Sequence, residues 1–103
     1  MATSRLRDLC VDCHDPHFLA RFWSAVLGYT IRPAASADTD VAIEPDPAAG
    51  GMRIWFNKVP ESKMVKNRVH IDINLPDYLE MDRLQRLGAL TLQEIRDPAG
   101  KLK

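Results

Sequence analysis

Asp8-Leu9-Cys10-Val11-Asp12-Cys13-His14-Asp15 and His70-Ile71-Asp72-Ile73-Asn74-Leu75-Pro76-Asp77 are two copies of one pattern. In each, polar and apolar residues alternate with the period of two that a half-buried strand requires. Seven residues after the first polar position of each copy stands an aspartate suited to cap a helix. Behind Asp15 come Pro16 at the first helical position, an apolar stripe of Phe18, Leu19, Phe22, Trp23, Val26 and Leu27, and Gly28 as a stop. Behind Asp77 come Glu80 at capping-box spacing, a stripe of Met81, Leu84 and Leu87, and Gly88. The chain reads as an internal duplication. Where a repeated unit pairs with its own copy, equivalent first-strand side chains approach a pseudo-twofold axis, so Asp8 and His70 are expected to converge on one ligand.

The rest of the first copy supplies more strands. Tyr29 to Arg32 reads as a short strand, followed by a Pro/Ala/Ser/Asp-rich loop; Val41 to Glu44 is a further strand, Pro45 to Gly51 a turn, and Met52 to Val59 a fourth strand. Pro60 to Arg68, carrying Lys63, Lys66 and Arg68, reads as a basic linker between the copies, solvated in the first reading and anion-binding in the alternative. In the second copy a strand over 69–75 and the helix lead to a strand over Leu90 to Ile95, a turn over 97–100 and a stub ending at Lys103. This gives one domain over 1–103: module one 5–59, linker 60–68, and an incomplete module two over 69–103.

Composition narrows the function classes. The 103 residues are 46% hydrophobic, enough for one small core, and the 14 basic residues cancel the 14 acidic ones. A balanced charge argues against nucleic acid and against an anionic membrane surface, leaving small neutral molecules or a metal chelate as the expected partners. No signal peptide and no spanning apolar run is read, so the expected location is the cytoplasm, with reduced thiols. Cys10-Val11-Asp12-Cys13-His14 has the spacing of a c-type haem attachment site, but without export that reading is set aside. The two thiols lie three apart on a strand, hence on opposite faces. His14 and His17 are expected at the surface beside the helix start.

Alternation also assigns faces. With Leu9, Val11, Val69, Ile71 and Ile73 under the helices, Asp8, Cys10, Asp12, His70, Asp72 and Asn74 look the other way. On the fourth strand Met52, Ile54 and Phe56 join the core, while Arg53, Trp55 and Asn57 share the polar face. Cys10, Asp12, Arg53, Trp55, Asn57 and Asp72 are therefore the candidate ligand-binding residues, with Trp55 as a pocket wall.

The Asp-Pro-x5-Phe-Trp-x3-Leu-Gly run from Asp15 to Gly28 (x5 and x3 being five and three intervening residues) and the Val59-to-Asp72 stretch resemble the glyoxalase/bleomycin-resistance/dioxygenase superfamily, in particular its bacterial glyoxalase-like subgroup. The resemblance implies an α+β fold of two βαβββ modules whose sheets curl around a concave cup. It also implies a divalent metal held by side chains on first and last strands, with ligands falling here on Asp8 and His70. Imidazole and carboxylate suit zinc, iron, manganese or nickel. Two protein ligands are fewer than the three usual for catalytic zinc, and the last strand of module one between Met52 and Val59 carries no further ligand.

Two function classes follow. One is a metal-dependent lyase, isomerase or oxygenase of the glyoxalase kind; the other is a non-catalytic small-ligand binding or sequestering protein of the bleomycin-resistance kind. Because module two is read as truncated at its C-terminal end, it leaves an exposed sheet edge, from which a homodimer is expected.

Overall fold

The computed structural model of the chain describes residues 3–32, 40–61, 63–77 and 79–91. Two compact units divide it, Met1–Lys66 and Asn67–Lys103. The first carries strand β1 (Asp8–Cys13), helix α1 (Pro16–Leu27) and strands β2 (Thr30–Ile31), β3 (Val41–Glu44) and β4 (Arg53–Lys58). The second carries helix α2 (Glu80–Arg86). The α+β class read from the sequence is the class observed.

Both ends of α1 follow from the residues that mark them. Asp15 Oδ1 accepts from the Phe18 N–H at 3.1 Å, satisfying one of the donors that a helix start leaves open. Pro16 needs no partner there and fixes φ for the first turn. At the other end Gly28 takes a left-handed φ of 71°, and its N–H donates to the Ser24 carbonyl at 2.9 Å. Pro16 and Ala20 are buried, and Leu19, Trp23 and Leu27 pack on the core. The buried stripe is narrower than the apolar one: Phe18 stays 41% exposed, and Phe22 packs edge-on against Trp23 with centroids 5.2 Å apart.

The strands form one open, mixed sheet in the order β1-β4-β3-β2. β1 runs parallel to β4, with Asp8 opposite Arg53 and Cys13 opposite Lys58; β3 is antiparallel to both β4 and β2. Val41, Ile43, Ile54 and Phe56 are buried with Ala20, and Leu9, Val11, Cys13 and Tyr29 pack around them. Alternation therefore assigned the faces of β1 and β4 correctly. Met52, expected in the core, precedes β4 and is only half-buried, outside the buried cluster.

In the second unit a helix follows the repeat's aspartate but is shorter, with Leu79 at its N-cap and Leu87 at its C-cap. Asp77 Oδ1 accepts from the Glu80 N–H at 3.2 Å, as Asp15 does for Phe18, and Gly88 has a φ of 120° with its N–H donating to the Gln85 carbonyl at 3.0 Å. The strand half of the repeat is not reproduced. Residues 69–75 join no ladder, Val69 is 75% exposed, and only Ile71 and Ile73 are half-buried. Alternation supplies a strand with faces but not with the neighbour whose N–H and C=O groups complete it. The strand expected over 90–95 falls largely outside the described residues, as does the turn over 97–100. The described residues form one four-stranded sheet that is not closed, and two helices.

Gly51 closes the turn into β4 with a φ of +115°, and a Cβ there would stand 2.8 Å from the Tyr29 hydroxyl and 3.4 Å from Pro45 Cβ. Gly51→Ala is expected to lower stability by roughly 1–3 kcal/mol through backbone strain and this contact. Gly50→Ala, with nothing within 4 Å of its Cβ, should lose less. Thermal unfolding followed by circular dichroism checks the order; equal midpoints for wild type and Gly51→Ala would contradict it.

Candidate functional site

Parallel pairing of β1 with β4 sets the first residue of one strand beside the first residue of the other, and both point to the face away from α1. There Arg53 Nε donates to Asp8 Oδ1 at 3.0 Å and Nη2 donates to Oδ2 at 3.1 Å. This two-pronged geometry fixes both groups, because the planar guanidinium and the planar carboxylate match edge to edge. The Trp55 indole N–H donates to the same Asp8 Oδ2 at 3.2 Å. Arg53 Nη1 reaches Glu44 Oε1 at 3.4 Å, and Arg32 Nη1 lies 3.5 Å from that same oxygen.

Trp55 is flanked by both arginines. The guanidinium carbon of Arg53 is 5.5 Å from the indole centroid and that of Arg32 is 6.0 Å, at the reach of a cation–π contact. Arg7 also approaches Asp8 Oδ2, at 3.7 Å, but its side chain is 85% exposed and solvent screens the contact.

The hydrogen bonds from Arg53 hold the Asp8 carboxyl below the ordinary carboxylate range. Partial burial opposes them, and the Arg53 charge, the Trp55 N–H and Arg7 reinforce them. The same hydrogen bonds raise the pKa of Arg53 further, so the pair stays doubly charged. On the core side of β1, burial first and then the charges of Asp15, Asp12 and Asp40 push the Cys13 thiol up. Cys10, on the polar face opposite Trp55, is exposed, so the two thiols do lie on opposite sides of the sheet.

Five of the six ligand-binding candidates share this face: Cys10, Asp12, Arg53, Trp55 and Asn57, with Asp8 among them and Asp12 opposite Asn57. Asp72, the sixth, is exposed in the second unit. His70 is also there, its Nε2 3.0 Å from the Asn67 carbonyl oxygen. His17 is half-buried, not a surface residue, with no hydrogen-bond partner for Nε2 among the described residues. Sequence reasoning passed over Arg32 and Glu44. Glu44 alternates with Ile43 and Arg32 with Ile31, which is the available signal; the hairpin register that brings them to Arg53 and Trp55 is not written in that alternation.

The glyoxalase-like domain profile matches residues 8–102, nearly the whole chain. The chain belongs to the glyoxalase-like domain family. No curated protein matches it. A solved structure from the mobile metagenome of V. Pseudocholerae is similar in fold, with a TM-score of 0.51 and 19% identity over 99% of this chain and 92% of that one.

Asp8, where the superfamily resemblance put a metal ligand, does not fit a divalent ion as this glyoxalase-like domain arranges it. Both of its oxygens already accept from a guanidinium, and a cation bound to them would meet a fixed positive charge at close range. Among the described residues no three His, Cys, Asp or Glu side chains are grouped to hold an ion.

The lowered pKa of Asp8 has a pH consequence. A carboxyl depressed in the folded state contributes stability that is fully present above its unfolded value, near 3.8, and is lost as pH falls toward the folded value. Asp8→Asn should be less stable than wild type at pH 7, and the gap should close as the pH is lowered below about 4. Urea midpoints measured from pH 7 to pH 2 check this; parallel curves for the two proteins would contradict it.

Proposed function

We propose that this glyoxalase-like domain binds a small molecule on the polar face of its β1-β4-β3-β2 sheet, with Trp55 as a wall and Arg53 as a fixed cation. The observation that carries the reading is the two-pronged Asp8–Arg53 pair. In it Asp8 is a positioning residue: it holds the guanidinium in one orientation beside Trp55. Three of the five guanidinium N–H groups of Arg53 are turned to Asp8 and Glu44, and the other two are donors for a ligand oxygen. A cation held this way can bind and orient an electron-rich group without any ion. Of the two function classes, the geometry at Asp8 favours ligand binding by the chain's own cation over metal-dependent lyase, isomerase or oxygenase chemistry.

The Trp55 indole N–H is itself a probe of Asp8, being hydrogen-bonded to it, whereas Trp23 lies against the core and serves as the internal reference. With equimolar Mn²⁺, the Trp55 indole resonance, assigned by Trp55→Phe, should keep its intensity relative to that of Trp23. Selective paramagnetic loss at Trp55 would place an ion on Asp8 and overturn the assignment of Asp8 to Arg53. In the same spectra a panel of small polar and planar molecules should shift the Trp55 resonance and leave Trp23 in place. A panel that moves neither resonance would overturn the proposed binding face.

A further inference from the structure

We infer that the ligand of this face is a planar carboxylate, and that Arg32 is the residue that selects its charge; this rests on the binding face proposed above and names the class of molecule it takes. Glu44 Oε1 is shared by two guanidiniums, with contacts of 3.4 Å to Arg53 and 3.5 Å to Arg32. Both are long beside the roughly 2.7–2.9 Å of a good charge-assisted hydrogen bond, so one carboxylate serves two cations and satisfies neither well. The Arg32 side chain is 50% exposed, and that contact is its one ion pair among the described residues.

Beside Trp55, Arg32 and Arg53 stand against Asp8 and Glu44, two charges of each sign, but the two carboxylates leave further guanidinium N–H groups open. An anion complements these open donors. Asp8 holds Arg53 by two bonds, while the Arg32 guanidinium has one long ion-pair contact and a place at the edge of cation–π reach of Trp55, so Arg32 is the cation able to turn its fork onto an incoming carboxylate. The shape requirement comes from the neighbour. The Trp55 ring is half-buried with guanidiniums at 5.5 and 6.0 Å, so when Arg32 turns from the indole to a carboxylate, the ring surface it leaves can take a flat conjugated scaffold.

The test uses quinoline-2-carboxylate and its uncharged amide, titrated into the full chain while the Trp55 and Trp23 indole resonances are followed. In wild type the carboxylate should bind at least about tenfold more tightly than the amide, the discrimination expected of a charged hydrogen bond. Arg32→Gln should abolish that preference, and Lys63→Gln, which removes one positive charge from the exposed linker, should keep it. Folding of each variant is checked by the unchanged Trp23 resonance. Equal binding of acid and amide in wild type would overturn the charge selection while leaving the binding face standing. Retention of the preference in Arg32→Gln would overturn the role of Arg32, and failure of both compounds to move Trp55 would overturn this inference; the wider panel then decides whether the binding face falls with it.

Discussion

The parallel pairing of β1 with β4 is the constraint on which the first unit depends, and the Asp8–Arg53 ion pair is its polar expression. On one side of that pairing Leu9, Val11 and Cys13 line up with Ile54 and Phe56 to close the core under α1. On the other side the same register sets Asp8 against Arg53 and Cys10 against Trp55. A slip of one residue would exchange the two faces, putting a carboxylate and a guanidinium under the helix and the apolar residues in water. Core and candidate site are therefore two readings of one register.

That coupling explains the electrostatics. An exposed ion pair contributes little to stability because water competes for both partners. Asp8 and Arg53 are different: their side chains are 16% and 23% exposed, they meet through two bonds, and the Trp55 N–H takes up a further lone pair of the carboxylate. The pair is fixed by the strands that carry it, so the guanidinium is oriented before any ligand arrives. Such preorganisation lowers the entropy lost on binding, which is how a modest surface can discriminate between ligands.

Most of the first unit was legible in the sequence because its signals are local. Asp15, Pro16 and Gly28 mark a helix by backbone chemistry confined to a few residues, and alternation in β1 and β4 sorted polar from apolar side chains without knowledge of the partner strand. What failed to show was pairing. Glu44 and Arg32 reach the site through the β2–β3 and β3–β4 registers, which no run of residues records. For the same reason 69–75 carries the clearest alternation in the chain yet is not assigned as a strand, while Asp77, whose hydrogen bond reaches only three residues along the chain, accepts from the Glu80 N–H as Asp15 accepts from that of Phe18. Asp8 was expected on the polar face, and there it stands opposite Arg53. Its partner could not be read from its spacing to Asp15, and the partner changes its chemistry from that of an open ligand to that of a carboxylate already engaged.

The central claim is that Asp8 acts through Arg53. A double-mutant cycle on wild type, Asp8→Asn, Arg53→Gln and the double variant, with stabilities from urea unfolding at pH 7, measures that link directly. The account predicts strong non-additivity: once either partner is gone, removing the other should cost much less than it does in wild type. Losses that simply add, within the scatter seen for distant sites, would show that the two side chains act independently and would contradict the account.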